Sequence, residues 1–172
     1  MTSFKKTSLR AAVAAFALCS FGAVASAQGI TRVPIPFPGI SIAAAVVVPP
    51  GYTTYYISGA GGGVVNPKAP KGSVERLGDT ETQTASALKR LKAEMARLGL
   101  TFGDVVAAHV YLVGVPSMGG KMDFIGMNKS WSKEFGTKVQ PNKPARAAVQ
   151  VAGLAMPGGL VEIELIAAKK VK

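Results

Sequence analysis

The chain has 172 residues, 48% of them hydrophobic, with 20 Lys and Arg against 9 Asp and Glu and a formal charge of +11. That length suits one domain and that apolar fraction can fill a core, which excludes a disordered tail protein. One Cys and one His exclude a disulfide framework, a cysteine-rich zinc site and any site needing two imidazoles from one chain.

Residues 1–27 read as a secretory signal peptide. Lys5, Lys6 and Arg10 form a basic leader, an uncharged Ala, Phe, Leu and Val stretch follows, and Ala25-Ser26-Ala27 gives the small-x-small cleavage pattern before Gln28. The apolar stretch falls short of the roughly 20 residues that a spanning helix needs. Bulky Leu18 before Cys19 argues against lipid attachment. Cleavage removes three positive charges and no negative ones, so the charge falls from +11 to +8. It also removes the only thiol, and with it thiolate catalysis. The expected product is a periplasmic or secreted protein with no membrane attachment after cleavage.

Residues 28–50 form a Pro-rich extended segment, with one short strand near residues 42–48. Residues 51–172 form the domain proper. Residues 53–58 have strand composition, and the glycines of residues 59–63 follow. A phosphate-cradling loop needs Lys and Ser or Thr next, opening a helix; Val64-Val65-Asn66-Pro67 stands there instead. Residues 68–78 read as a polar surface loop. Residues 80–98 are the clearest helix: Thr80 and Gln83 make a capping box, Leu88, Leu91, Met95 and Leu98 form one stripe, and Gly99 stops it. Its Lys89, Arg90, Lys92 and Arg97 read as a solvated face, since no aromatic side chains interleave to stack bases.

A strand over residues 105–113 puts Val106, Ala108, Val110 and Leu112 on one face and Ala107, His109 and Tyr111 on the other. His109 reads as a structural hydrogen-bonding residue. A shorter helix spans residues 122–135, anchored by Phe124, Ile125, Trp131 and Phe135. Strands over residues 145–155 and 160–168 follow, joined through Pro157-Gly158-Gly159 as a hairpin. In the last, Val161, Ile163 and Leu165 point one way and Glu162, Glu164 and Ile166 the other. The order is an α+β pattern, with two helices over one face of a sheet.

Arg146 interrupts a strand that otherwise reads as buried, and an unpaired buried charge is too costly to keep. Two acceptors suit its guanidinium: Glu162 or Glu164 across the hairpin, or the carboxylate of a ligand. Glu162 and Glu164 lie roughly 7 Å apart along one strand face. Such a pair suits either acid–base chemistry or a solvated surface.

Residues 78–84 (Gly-Asp-Thr-Glu-Thr-Gln-Thr), Asp104-Val105-Val106 with the strand through Leu112, Met127-Asn128, Pro144-Ala145-Arg146 and residues 161–167 occur in the order and spacing of the RidA (YjgF) family. The similarity runs over about residues 52–170. The resemblance implies a chorismate-mutase-like mixed sheet with two helices, assembled as a homotrimer with clefts between subunits. It implies hydrolysis of small enamine or 2-imino acids to 2-oxo acids and ammonia, with no metal or cofactor; the solvated helix cations give no expectation of a nucleic-acid partner. The resemblance assigns Arg146 to the substrate carboxylate, Glu162 to the hydrolytic water, and Ser58, Gly59 and Asn128 to substrate binding. A non-catalytic carboxylate-binding protein and an endoribonuclease are the rival readings. The chain departs from the family pattern at Ala60, where Gln is common, and at Ala148, where Cys is common. It also lacks a clear counterpart of an N-terminal aromatic, a place that Tyr52, Tyr55 or Tyr56 would have to take.

Overall fold

The computed structural model describes residues 29–170; the expected leader lies outside them. Among the described residues no helix is long and apolar enough to cross a membrane. The Pro-rich segment folds as a two-stranded antiparallel ribbon of β1 (Thr31–Pro34) and β2 (Ala43–Val47). The first of these strands was expected only as extended chain. It tolerates Pro34 because a proline at a strand end removes no needed ladder bond. Arg32 ties the ribbon to the body by donating to the carbonyl oxygens of Val105 (2.8 Å), Lys143 (2.8 Å) and Gly103 (3.0 Å). The Ala43 N–H adds a 2.8 Å bond to the Pro144 carbonyl.

Five further strands follow: β3 (Tyr52–Gly61), β4 (Val105–Val115), β5 (Lys121–Met122), β6 (Ala145–Val151) and β7 (Val161–Lys170). Strand β7 lies between β3 and β4, antiparallel to both, while β6 runs parallel to β4 on its other edge. The last two strands are therefore no hairpin. Residues 152–160 are long enough to carry the chain past β4, so the Pro-Gly-Gly turn sits within a crossing connection. The alternation within β7 holds as expected: Val161, Ile163, Leu165 and Ala167 are buried, and Glu162, Glu164 and Ile166 are half-exposed.

Three helices cover the buried face: one-turn α1 (Val74–Leu77), inside the expected polar loop, α2 (Thr80–Arg97) and α3 (Phe124–Trp131). Leu88, Leu91 and Met95 of α2 join Val110, Leu112, Ile163 and Leu165 in one core. Asp79, not Thr80, caps α2; its carboxylate accepts from the Thr82 N–H at 2.8 Å. An acid one residue earlier reaches the free amides of the first turn and also complements the helix dipole. Gln83 is then free for other work. Fully buried, it donates to the Gly78 and Gly158 carbonyls and accepts from the Leu160 N–H, stitching the helix start to the approach to β7. At the other end Gly99, with φ +69°, donates to Ala96 while Leu100 donates to Met95. This glycine-dependent stop returns Leu100 to the core.

Helix α3 is shorter than the expected 122–135, and the anchors expected on it divide, with Phe135 in the turn that follows. Trp131 and Phe135 are fully buried and stacked at 4.3 Å, with Phe102 4.9 Å from Phe135. Phe124 and Ile125 are 41% and 71% exposed, and Met127 takes the inward place. With Asp123 as cap, helical spacing turns residues 127 and 131 inward together.

Candidate functional site

Arg146 projects from β6 toward α3. Its Nη2 donates to Asn128 Oδ1 at 2.9 Å, and its Nη1 meets only the weak acceptor Met127 Sδ at 3.5 Å. Its Nε is buried with no partner among the described residues. The guanidinium carbon lies 4.7 Å from the Trp131 ring centre and 5.7 Å from that of Phe124. Burial lowers its pKa to about 10. No described carboxylate forms an ion pair with it; the ion pairs present involve other residues. Glu162 and Glu164, the expected internal partners, do not reach it.

The pairing explains why. Arg146 stands opposite Ala108 on β4, whereas Glu162 stands opposite Tyr111 and Glu164 opposite His109. Ala108 faces the core, and residues an odd number of positions away face the other side. Arg146 therefore lies on the helix side of the sheet, and both glutamates lie on the helix-free side. There Glu164 Oε1 sits 2.7 Å from His109 Nδ1, which gives the lone imidazole a structural partner.

The sequence-derived site residues thus form two groups. Asn128 joins Arg146 around a cavity of about 240 Å³ that also takes in Ile40, Ile42, Phe124 and Trp131. Gly59 joins Glu162 instead, with Ser58 next to it in the chain. Strand β3 slips register against β7 between Ile57 and Ala60, a bulge that brings Gly59 over the Glu162 side chain. A Cβ built on Gly59 would run into Glu162 Oε1. Ser58 and Gly59 also border a groove of about 350 Å³ along the outer edge of β3. Within its own chain, none of Tyr52, Tyr55 and Tyr56 lines the Arg146 cavity. Among the described residues no three His, Cys, Asp or Glu side chains gather as a metal-holding group.

Sequence reading missed the platform beneath the arginine. Phe124 and Trp131 lie four residues before and three after Asn128, so a helix places all three on one side. That spacing was legible once Asn128 had been singled out. Ile40 and Ile42 carried no such signal, because their position depends on where the ribbon docks.

The family model described as Endoribonuclease L-PSP matches residues 52–169. The chain belongs to this family, RidA/YjgF. A RutC family protein of Haemophilus influenzae is 35% identical over 92 residues, a match covering 54% of this chain and 65% of that relative, just short of two thirds of its length. A Rid-family protein of unknown function from Yersinia pestis superposes with a TM-score of 0.60 at 20% identity, over 83% of this chain and 100% of that one. A YjgF-family protein of Neisseria meningitidis gives a TM-score of 0.50 at 26% identity, over 83% and 97%. The mixed α+β architecture of this RidA/YjgF chain is the one these structures share.

Proposed function

We propose that the protein hydrolyses small 2-imino acids to 2-oxo acids and ammonium, as a homotrimer with sites between subunits. The carrying observation is Arg146: a desolvated guanidinium beside a cavity, with unused donors and no acid to pair with. An incoming carboxylate would supply the missing acceptor through two charge-assisted hydrogen bonds. The separation of Arg146 from Glu162 by the sheet supports the multi-subunit form of the reading. One copy contributes Arg146 and Asn128, and its neighbour contributes Ser58, Gly59 and Glu162.

In such a cleft Glu162 orients a water toward the carbon of the protonated imine and accepts one of its protons. The C–O bond forms as the C=N π pair moves to nitrogen, giving a carbinolamine. Return of that proton to nitrogen makes ammonia the leaving group; as the C–N bond breaks, the hydroxyl proton passes through Glu162 to the departing ammonia, leaving a 2-oxo acid and ammonium. The iminium is already electrophilic, so positioning supplies much of the acceleration. We further propose that residues 1–27 are a cleaved leader and that the reaction occurs outside the cytoplasm, which intact-mass measurement of exported protein tests.

Turnover of imines generated by an amino-acid oxidase, followed as accelerated release of 2-oxo acid, tests the activity. Loss of that acceleration in Arg146→Ala is expected. Unchanged acceleration in that variant rejects the assignment. Binding of 2-oxo acids without turnover would favour a carboxylate-binding protein, the reading suited to a chain that stays monomeric. RNA cleavage, which the family's description names, finds little support in the helix cations. Lys92 and Arg97 pair with Glu134 and Glu94, and Arg90 donates to the Gly61 carbonyl.

A further inference from the structure

A charge that burial has stripped of water needs compensation, and hydrogen bonds give Arg146 little of it. Nη2 has one bond, to Asn128, and Nη1 only the weak contact with the Met127 sulfur. Aromatic rings give more. The Trp131 ring centre lies 4.7 Å from the guanidinium carbon, against 5.7 Å for Phe124. An aromatic face attracts a cation, indole most strongly, and leaves its N–H donors to oxygen acceptors. A protein acid in the same role would occupy the donors that a ligand carboxylate needs.

The Trp131 ring is fully buried and is itself held in place. Its Nε1 donates to the Ser41 carbonyl at 3.0 Å. Phe135 stacks on it with ring centres 4.3 Å apart and planes 23° apart, and Phe102 backs Phe135 at 4.9 Å. Phe102 in turn carries Lys92, whose ammonium lies 5.6 Å from its ring centre. Three rings thus form a contiguous stack between Arg146 and Lys92. Trp131 is the last residue of α3, three after Asn128, so one helical turn applies both restraints on Arg146. Asn128 holds one Nη by a hydrogen bond, and Trp131 holds the carbon through its ring.

We propose that Trp131 is a positioning residue for Arg146: its indole holds the guanidinium ready, so that an incoming carboxylate meets a charge already in place. The inference rests on the reading of Arg146 as the carboxylate clamp. An arginine without such a platform gives up rotamer freedom when a ligand immobilises it, which weakens binding. With the platform, that loss falls on folding instead. The attraction comes from the ring's charge distribution, so it depends on aromaticity and not on volume alone.

Trp131 is the chain's only tryptophan, so biosynthetic replacement of tryptophan by 5-fluorotryptophan alters this one ring. Its fluorine resonance is expected to shift on titration with pyruvate, a stable 2-oxo acid, and to stay still in Arg146→Gln. Fluorine draws charge from the ring face, so the labelled protein should bind pyruvate more weakly by calorimetry. Trp131→Leu should raise the Kd about tenfold and Trp131→Phe about threefold or less. Both lose the bond to Ser41, so their difference isolates the ring. Three results overturn the platform and leave the clamp standing, provided that binding still depends on Arg146: equal Kd values in the Leu and Phe variants, an unchanged Kd with the fluorinated ring, or a resonance that does not move at saturation. If neither substituted variant folds, the fluorinated protein alone decides. Binding that is absent, or indifferent to Arg146→Gln, overturns the clamp and the platform with it.

Discussion

Two arginines among the described residues are desolvated, and their replacement by Met should have unequal consequences for stability. Arg32 donates to three carbonyls that bridge the ribbon, the start of β4 and the approach to β6. Arg32→Met strands those acceptors. Charge-assisted bonds of this kind contribute about 1.5–3 kcal/mol each, discounted for a half-buried site that water can re-enter, so the loss should be about 3 kcal/mol. Arg146→Met removes one bond to Asn128 and the stacking over Trp131, together worth about 2 kcal/mol under the same discount. Against this, it relieves a charge whose burial holds the pKa down at about 10, below the ordinary arginine value. Screening at a partly exposed group shrinks that relief to about 1–2 kcal/mol, and Met keeps much of the apolar packing. The net change at Arg146 should be within about 1 kcal/mol of zero. Urea unfolding at fixed protomer concentration measures both variants. Equal losses, or a loss above about 2 kcal/mol for Arg146→Met, would show that Arg146 is a structural strut and refute the argument for a poised group.

Gly59→Ala should leave the fold intact, because the intruding methyl meets the flexible end of Glu162. It should nevertheless lower kcat by about 100-fold in the imine assay, as expected for a catalytic carboxylate displaced by about 1 Å. Asp79→Ala should cost about 1 kcal/mol at neutral pH. The bonds to Thr82 lower the Asp79 pKa, so this stability is present above the usual carboxylate range and lost as pH falls through the lowered value. The variant and parent should therefore converge in acid denaturation.

Much of this arrangement is written locally. The alternation in β7 and the Leu88, Leu91 and Met95 stripe emerge from spacing alone, because each records which side of one element meets the core. The stripe overshoots only at Leu98, which is 48% exposed where the Gly99 stop turns the chain. What local pattern cannot carry is which strands become neighbours. A Pro-Gly-Gly turn between two apolar runs reads as a hairpin, yet β6 takes the parallel edge of β4 and β7 the antiparallel one. That single difference removes Glu162 and Glu164 from reach of Arg146. The residue types at the candidate site came through the family resemblance, whereas their division into two groups needed the register of β4. Arg32 was invisible for a related reason: its three acceptors are backbone carbonyls, which no side-chain pattern announces.

Under the proposed reading, setting Arg146 and Glu162 on opposite sides of one sheet has a genetic consequence. No rotamer change can bring the two together across a layer of backbone, so a solitary protomer carries two mismatched halves. Two defective alleles, one lacking Arg146 and the other lacking Glu162, should complement when expressed together. Some mixed assemblies would then contain a junction at which both flanking halves are intact.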